Sequence, residues 1–327
     1  MKRKALLALV LALVFGLSLV ACAPAEEAPA EKAAVRVAAL SGSTGLGMAK
    51  LMTDAKAGTT ANNYTFEVFD APEQLLPELS ATEKKYDIAA LPTNVAARLF
   101  NKTNGELQIL AVNTLGVLYV MEVGTETVKS VADLRGKTIY TTGQGATPEY
   151  ALRYILEKNG LNPDEDVEIV FETTADGVVS HNQEGAILML PQPKVTAVAG
   201  QIGAKIVLDV TAEWNKVCDT PMAQGCVVVT KEFAQANPEA VAEFLKEYEA
   251  SINFVKNNAA EASVMVAEHG IIPKAPLAEK AIPKSNLTFA AGKDMKEMLA
   301  PFYQILFDAD PTSIGGKIPA NEFYYGA

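Results

Sequence analysis

Neutral hydrogen-bonding side chains gather at five turns of this chain: Ser41, Ser43 and Thr44; Thr93 and Asn94; Asn113 and Thr114; Gln144 and Thr147; and Gln192. Each turn follows an apolar run, and most precede a helical pattern. Taken singly, such residues are ordinary helix caps. Together, at the strand ends of parallel sheets, they would converge on one edge per sheet, where open α/β sheets bind ligands. Two of the turns are glycine-rich, SGSTGLG at 41–47 and TGQGAT at 142–147. Their backbone N–H groups, at Gly45 to Gly47 and at Gly145, Ala146 and Thr147, would add donors at a helix start. No Arg, Lys or His lies in these turns. The chemistry on offer is therefore hydrogen bonding to a neutral or singly charged molecule, not to a polyphosphate.

Other site chemistries fail on spacing. Gly42 and Gly47 have the separation of a phosphate loop, but Met48-Ala49 follows where Lys-Ser/Thr is required. The dinucleotide fingerprint fails at Lys50, which stands in the place of its third glycine. There is no GxSxG elbow and no HExxH. His181 and His269 are far apart in sequence, so no metal site is expected, and no cofactor. An exported enzyme would have to work through carboxylates such as Asp87 and Asp176, which carry no telling spacing.

The elements that must position these turns alternate strand and helix. Val35–Leu40, Tyr64–Phe69, Tyr86–Pro92 and Leu107–Val112 read as strands, with helices between them, which argues βαβ units and a mostly parallel sheet. Val117–Val123 continues directly from the fourth strand and is read as a crossover to a second lobe. Gly225–Phe233 is the return. The boundaries expected are 35–118 with 220–327 for the first lobe, and 119–219 for the second. YDIAALPTN and EGAILMLPQP echo one another, each an apolar strand closed by Leu-Pro and an amide residue. They would mark equivalent strand ends. Val241, Phe244, Leu245, Tyr248, Ile252 and Val255 share one face of a helix opened by Asn237-Pro238. Met295, Met298, Leu299, Phe302 and Leu306 mark a second such helix. The last residues, PTSIGGKIPANEFYYGA, are turn-rich and are expected to pack over a surface.

The N-terminus sets the compartment. Met1-Lys2-Arg3-Lys4 precedes an apolar run to Val20, then Ala21-Cys22. That is the grammar of a secretory signal, and no later apolar run reaches the ~18 residues of a membrane span. Ala23–Ala34 is an Ala/Pro/Glu tether without periodicity. Removing the leader leaves 25 basic against 39 acidic residues, a net charge of −14. So acidic a body excludes nucleic acid as a partner. With Cys22 consumed, Cys218 and Cys226 remain as an even pair in an oxidising compartment, so a disulfide across CDTPMAQGC is expected.

LVAC resembles a bacterial lipobox, which implies lipidation of Cys22 and cleavage before it. SGSTGLG, DIAALPTNVAARLF, VADLRGKTIYTTGQGATPEYALRYILEKNGL, LMLPQP and GCVVVTKEF with NPEAVAEFLKEY are together similar to an ABC-transporter solute-binding lipoprotein. The branch resembled is the nitrate/sulfonate/taurine-type and pyrimidine-precursor-type. The resemblance implies a type 2 periplasmic-binding fold, α/β, with two lobes, two crossover strands and the ligand between them. It implies a lipid-anchored extracytoplasmic monomer without catalysis, delivering a small molecule to a permease with cytoplasmic ATPase subunits. Its ligand contacts would fall at Ser43, Thr44, Thr93, Asn94, Gly145, Ala146 and Thr147, and the turn reading adds Gly45, Asn113, Thr114 and Gln192 to the expected binding set. Such relatives often carry an acid where this chain has Gln192. The alternatives are an exported carboxylate-dependent enzyme and a lipoprotein sensor or adhesion component on the same fold.

Overall fold

The computed structural model describes residues 32–327. Cys22 and the leader lie outside the described residues. Among the described residues, eleven strands form two sheets. β1 (Ala34–Leu40), β2 (Asn63–Phe69), β3 (Ile88–Pro92) and β4 (Leu107–Thr114) belong to the first. β5 (Leu118–Val123), β6 (Thr138–Thr141), β7 (Glu168–Phe171), β8 (Ile187–Pro191) and β9 (Ala204–Asp209) make the second. The chain then returns to the first with β10 (Gly225–Thr230) and β11 (Leu287–Ala291).

The two sheets repeat one plan. The first runs β11-β4-β10-β3-β1-β2, and the second β7-β6-β8-β5-β9. In each, a strand entering from the other sheet lies antiparallel between two resident strands: β10 between β3 and β4, β5 between β8 and β9. The opening strands pair in parallel, β1 with β2 and β3, β6 with β7 and β8. Interior strands are covered on both faces and so read as unbroken apolar runs. The edge strand β2 alternates exposed and half-buried positions. β3 and β8, the two Leu-Pro strands, share the pattern of four buried residues and a half-buried proline. They also occupy the same place in their sheets.

One apolar cluster reaches across both sheets, joining Leu91, Val120, Ile139, Ile187, Trp214 and Phe302. A second, around Val37, Leu46, Phe244, Tyr248 and Ile252, belongs to the first sheet alone. The third, smaller, around Tyr119, Leu188, Leu190 and Val195, belongs to the second. Helices Pro238–Asn257 and Gly292–Ala309 bury the faces that their periodicity marks. The C-terminal segment packs over the first sheet and its helix Thr93–Lys102, and does so deeply. Phe323 is fully buried against Phe100, at 4.8 Å between ring centroids, and Tyr324 bridges to Ile109 of β4.

The expected disulfide is absent, and both cysteines are free. Residues 219–224 run on between the sheets as a connection, so the loop does not fold back. Cys226 is carried into mid-sheet, where its Sγ–H donates to the Leu91 carbonyl at 3.4 Å. Burial pushes its thiol well above the usual range. Cys218 ends the helix Val210–Val217, half-buried against the apolar core.

The two connections between the sheets run side by side and are stitched by Gln224. Its N–H donates to the Thr114 carbonyl (3.0 Å), and its carbonyl accepts from the Thr93 N–H (3.0 Å). Its side-chain oxygen accepts from the Val117 N–H (2.6 Å). Gly116 sits in this crossing, where a Cβ would stand 2.2 Å from both Met222 Cε and Thr211 Oγ1. Among the described residues no helix is long and apolar enough to cross a membrane, and no His, Cys, Asp and Glu cluster could hold a metal.

Candidate functional site: a buried polar seam between the sheets

Ser43, Asn113, Thr114 and Gln192 come together, joined by Tyr248 of the helix Pro238–Asn257 and by Ser285, from a turn that the sequence did not single out. Ser43 is buried, and its hydroxyl has one hydrogen for two acceptors: the Gln192 carbonyl and Ser285 Oγ, each at 3.2 Å. Ser285 donates its own hydrogen to the Ala281 carbonyl at 2.9 Å. A residue of the first sheet's opening turn thus meets the end of β8 and the turn before β11. Gly42 stands beside them with φ +78 and faces Pro193 Cδ, 3.7 Å from where its Cβ would be.

Asn113 is saturated. Its amide donates to the Thr44 carbonyl (3.1 Å) and to the Tyr248 hydroxyl (2.8 Å), while its oxygen accepts from Thr114 Oγ1 (2.9 Å). Burial raises the Tyr248 hydroxyl far above its ordinary pKa, so it stays protonated. Gly225 is required here, because a Cβ would stand 2.5 Å from Asn113 Oδ1. Thr93 is saturated too, donating to the Ala223 carbonyl (2.6 Å) while its own carbonyl accepts from Tyr303 (2.9 Å). Asn94 is 3% exposed.

Gln192 differs from all of these. Its N–H donates to the Val117 carbonyl at 2.9 Å, and its side-chain oxygen accepts from Thr196 Oγ1 at 2.7 Å. Its Nε2 is buried and has no partner among the described residues. A buried amide left unpaired costs about 1–3 kcal/mol, which makes this atom the conspicuous polar defect of the seam.

The glycine turns offer fewer donors than their sequence promises. The Gly45 and Leu46 N–H groups bond the Gly42 and Ser43 carbonyls, at 3.2 and 3.3 Å. The Gly145 N–H donates to Glu149 Oε2 (2.8 Å), and the Ala146 N–H to the Gly143 carbonyl (3.1 Å). Such tight turns close on themselves before a helix starts. Thr147 is buried at the first position of the helix Thr147–Lys158. Gln144 and Gly145 line an open groove of about 1050 Å³ between that helix and Gly292–Ala309. Five carboxylates line it, Glu149, Glu157, Asp164, Asp308 and Asp310, against Arg153 and Lys158. There the Tyr150 hydroxyl donates to Asp310 Oδ2 at 2.7 Å, a tie between the two halves.

The titratable groups lie elsewhere. Asp87 precedes β3, at the strand end opposite Pro92, and accepts from the Arg36 N–H (2.8 Å), Nε (3.0 Å) and Nη2 (2.6 Å). Glu122 accepts from Thr125, Thr127 and Val128. Burial raises its pKa, but these hydrogen bonds outweigh that and hold it below the usual carboxylate range. Asp176 is exposed and paired with Lys194 at 2.5 Å. His181 stacks on Tyr140 at 3.8 Å and meets Glu172 at 2.8 Å, while His269 meets Thr53 at 2.9 Å. The seam is built of hydroxyls and amides bonded within the protein, and among the groups named here Gln192 Nε2 is left without a partner.

Solved structures share this architecture. An ABC transporter protein from Parabacteroides distasonis aligns with TM-score 0.74 at 21% identity, over 90% of this chain and 99% of that one. The periplasmic aliphatic sulphonate binding protein SsuA from Escherichia coli gives 0.70 at 16% identity, over 89% and 92%. The periplasmic nitrate-binding protein NrtA from Synechocystis gives 0.57 at 13%, over 81% and 75%. At such identities the likeness is one of fold, the two-lobe fold of periplasmic binding proteins. Comparison with curated protein sequences gives no match. A family model, in contrast, matches residues 46–307, most of the chain and both sheets, and by that match the protein belongs to the family described as menaquinone biosynthesis.

Proposed function

We propose that this protein is the extracytoplasmic, lipid-anchored substrate-binding component of an ABC importer. It would act as a monomer, with residues 35–118 and 220–327 as one lobe and 119–219 as the other. A small organic solute or anion would be held between the lobes and passed to a permease with cytoplasmic ATPase subunits. The observation that carries this reading is the neutral polar seam, in which Ser43 of one sheet meets Gln192 of the other beside an unpaired amide. Native mass spectrometry of freshly purified protein tests it, by detecting a co-purified small molecule. Calorimetry with that molecule on Ser43→Ala and Thr147→Val follows, with expected losses of roughly ten- to a hundredfold where the hydroxyl meets a charged group. Wild-type affinity in both variants, with folding intact, would sink the placement. Cys22→Ser should leave an exported protein that no longer partitions with detergent.

The family match favours a second reading, an enzyme of menaquinone biosynthesis on the same fold. Against it stands the character of the buried carboxylates among the described residues, Asp87 and Glu122, each saturated with donors away from the seam. Turnover of a bound molecule, lost in Asp87→Asn, would reverse the preference.

A further inference from the structure

We infer, resting on the receptor reading above, that Gln192 determines the class of ligand: a small molecule presenting an oxygen acceptor, carboxylate, sulfonate or carbonyl, and not an ammonium. The argument starts from the amide's two ends. Its oxygen is committed to Thr196 Oγ1 at 2.7 Å, so the end left over is the NH2, a donor. The residue is 3% exposed, so bulk water does not satisfy that donor. No acceptor among the described residues stands within hydrogen-bond distance of it. The seam without a ligand therefore strands a donor in dry surroundings, and an acceptor atom from outside is what completes it.

The same geometry sets the sign of selection. An ammonium brings donors to a donor and leaves both unpaired. A glutamate at this position would invert the preference, because it presents two acceptors in nearly the same shape. The neighbouring seam groups, the Ser43 hydroxyl and the Tyr248 phenol, are uncharged, so charge discrimination falls to this one position.

The test uses four probes of similar size, butanoate, propane-1-sulfonate, butanamide and butylammonium, titrated into wild type, Gln192→Glu and Gln192→Met. Wild type should be protected against thermal unfolding by one or more of the three oxygen-bearing probes and not by butylammonium. Which of the three binds tells carboxylate, sulfonate and carbonyl apart. Gln192→Met should weaken that binding roughly ten- to a hundredfold for an anion. Gln192→Glu should lose the anions and gain butylammonium. Ligand-free Gln192→Met should melt a few degrees higher than wild type, because it removes the stranded donor. A lower melting temperature for that variant would mean the amide is satisfied without a ligand, and would overturn the inference. Equal probe affinities in wild type and both variants would also overturn it, while leaving the receptor reading intact. A wild type that responds to butylammonium alone, or to none of the four, overturns it too. The receptor reading is then judged separately by the co-purified molecule.

Discussion

β3 and β8 are the same strand built twice and finished differently. Each has four buried residues and a proline, and each is flanked by an antiparallel visitor. After β3, Thr93 opens a helix with its hydroxyl tied to Ala223 on the returning connection and its carbonyl to Tyr303, so both are paired. After β8, Gln192 reaches back to the opposite sheet and leaves an amide unpaired. The scaffold can be repeated because apolar strands need only volume and register. The residue just past the proline is free to differ, and there one half is closed and the other open.

Core deletions at matched positions should break this comparison most strongly. Leu91 and Leu190 are both fully buried, but Leu91 belongs to the cluster that joins the sheets and Leu190 to the small one. Leucine-to-alanine changes cost about 2–5 kcal/mol, and Leu91→Ala should fall near the top of that range and Leu190→Ala near the bottom. Urea unfolding decides it, and equal losses would mean that the clusters are equally packed. Gly116→Val should cost about 1–3 kcal/mol by overpacking the crossing, since its Cβ would meet Met222 and Thr211. A neutral result in the same assay would mean that the connections are slack.

A smaller effect belongs to the tie at Asp310. The Tyr150 hydroxyl, then the Thr312 side chain and N–H, hold its carboxyl below the usual aspartate range. A depressed folded pKa contributes stability that is present above the unfolded value of about 3.9 and lost as pH falls through the folded one. Wild type should therefore lose this contribution only below about pH 4. Melting curves of wild type and Asp310→Asn should differ at neutral pH and converge in acid, and parallel curves throughout would refute the tie. The smallest effect is none: reductant should leave the melting temperature unchanged. Thiol titration should find both Cys218 and Cys226 after unfolding, with Cys226 unreactive before it.

Much of the scaffold was legible because its signals are local. Apolar runs stopped by Leu-Pro, glycine turns and an Asn-Pro helix start each declare themselves within ten residues. β11 and the Ser285-Asn286 turn were missed because LTFAA has neither length nor alternation, and its pairing with β4 is a long-range event. Ser43, Asn113, Thr114 and Gln192 could be named as strand-end residues, since their types suit turns. That Asn113 would be saturated and Gln192 not depends on Tyr248 and Thr196, partners 135 and 4 residues away. The cysteine spacing suggested a bridge for the same reason, as nothing local says that residues 219–224 travel between sheets and do not turn back.

Gln224 gives the molecule a mechanical character. It binds the outgoing connection at Thr114 and Val117 while itself lying on the returning one, and it also holds Thr93. Two separate flexible tethers would let the halves wander through many mutual orientations. Two connections tied to each other and to Thr93 by three hydrogen bonds leave far fewer such orientations than two loose ones would.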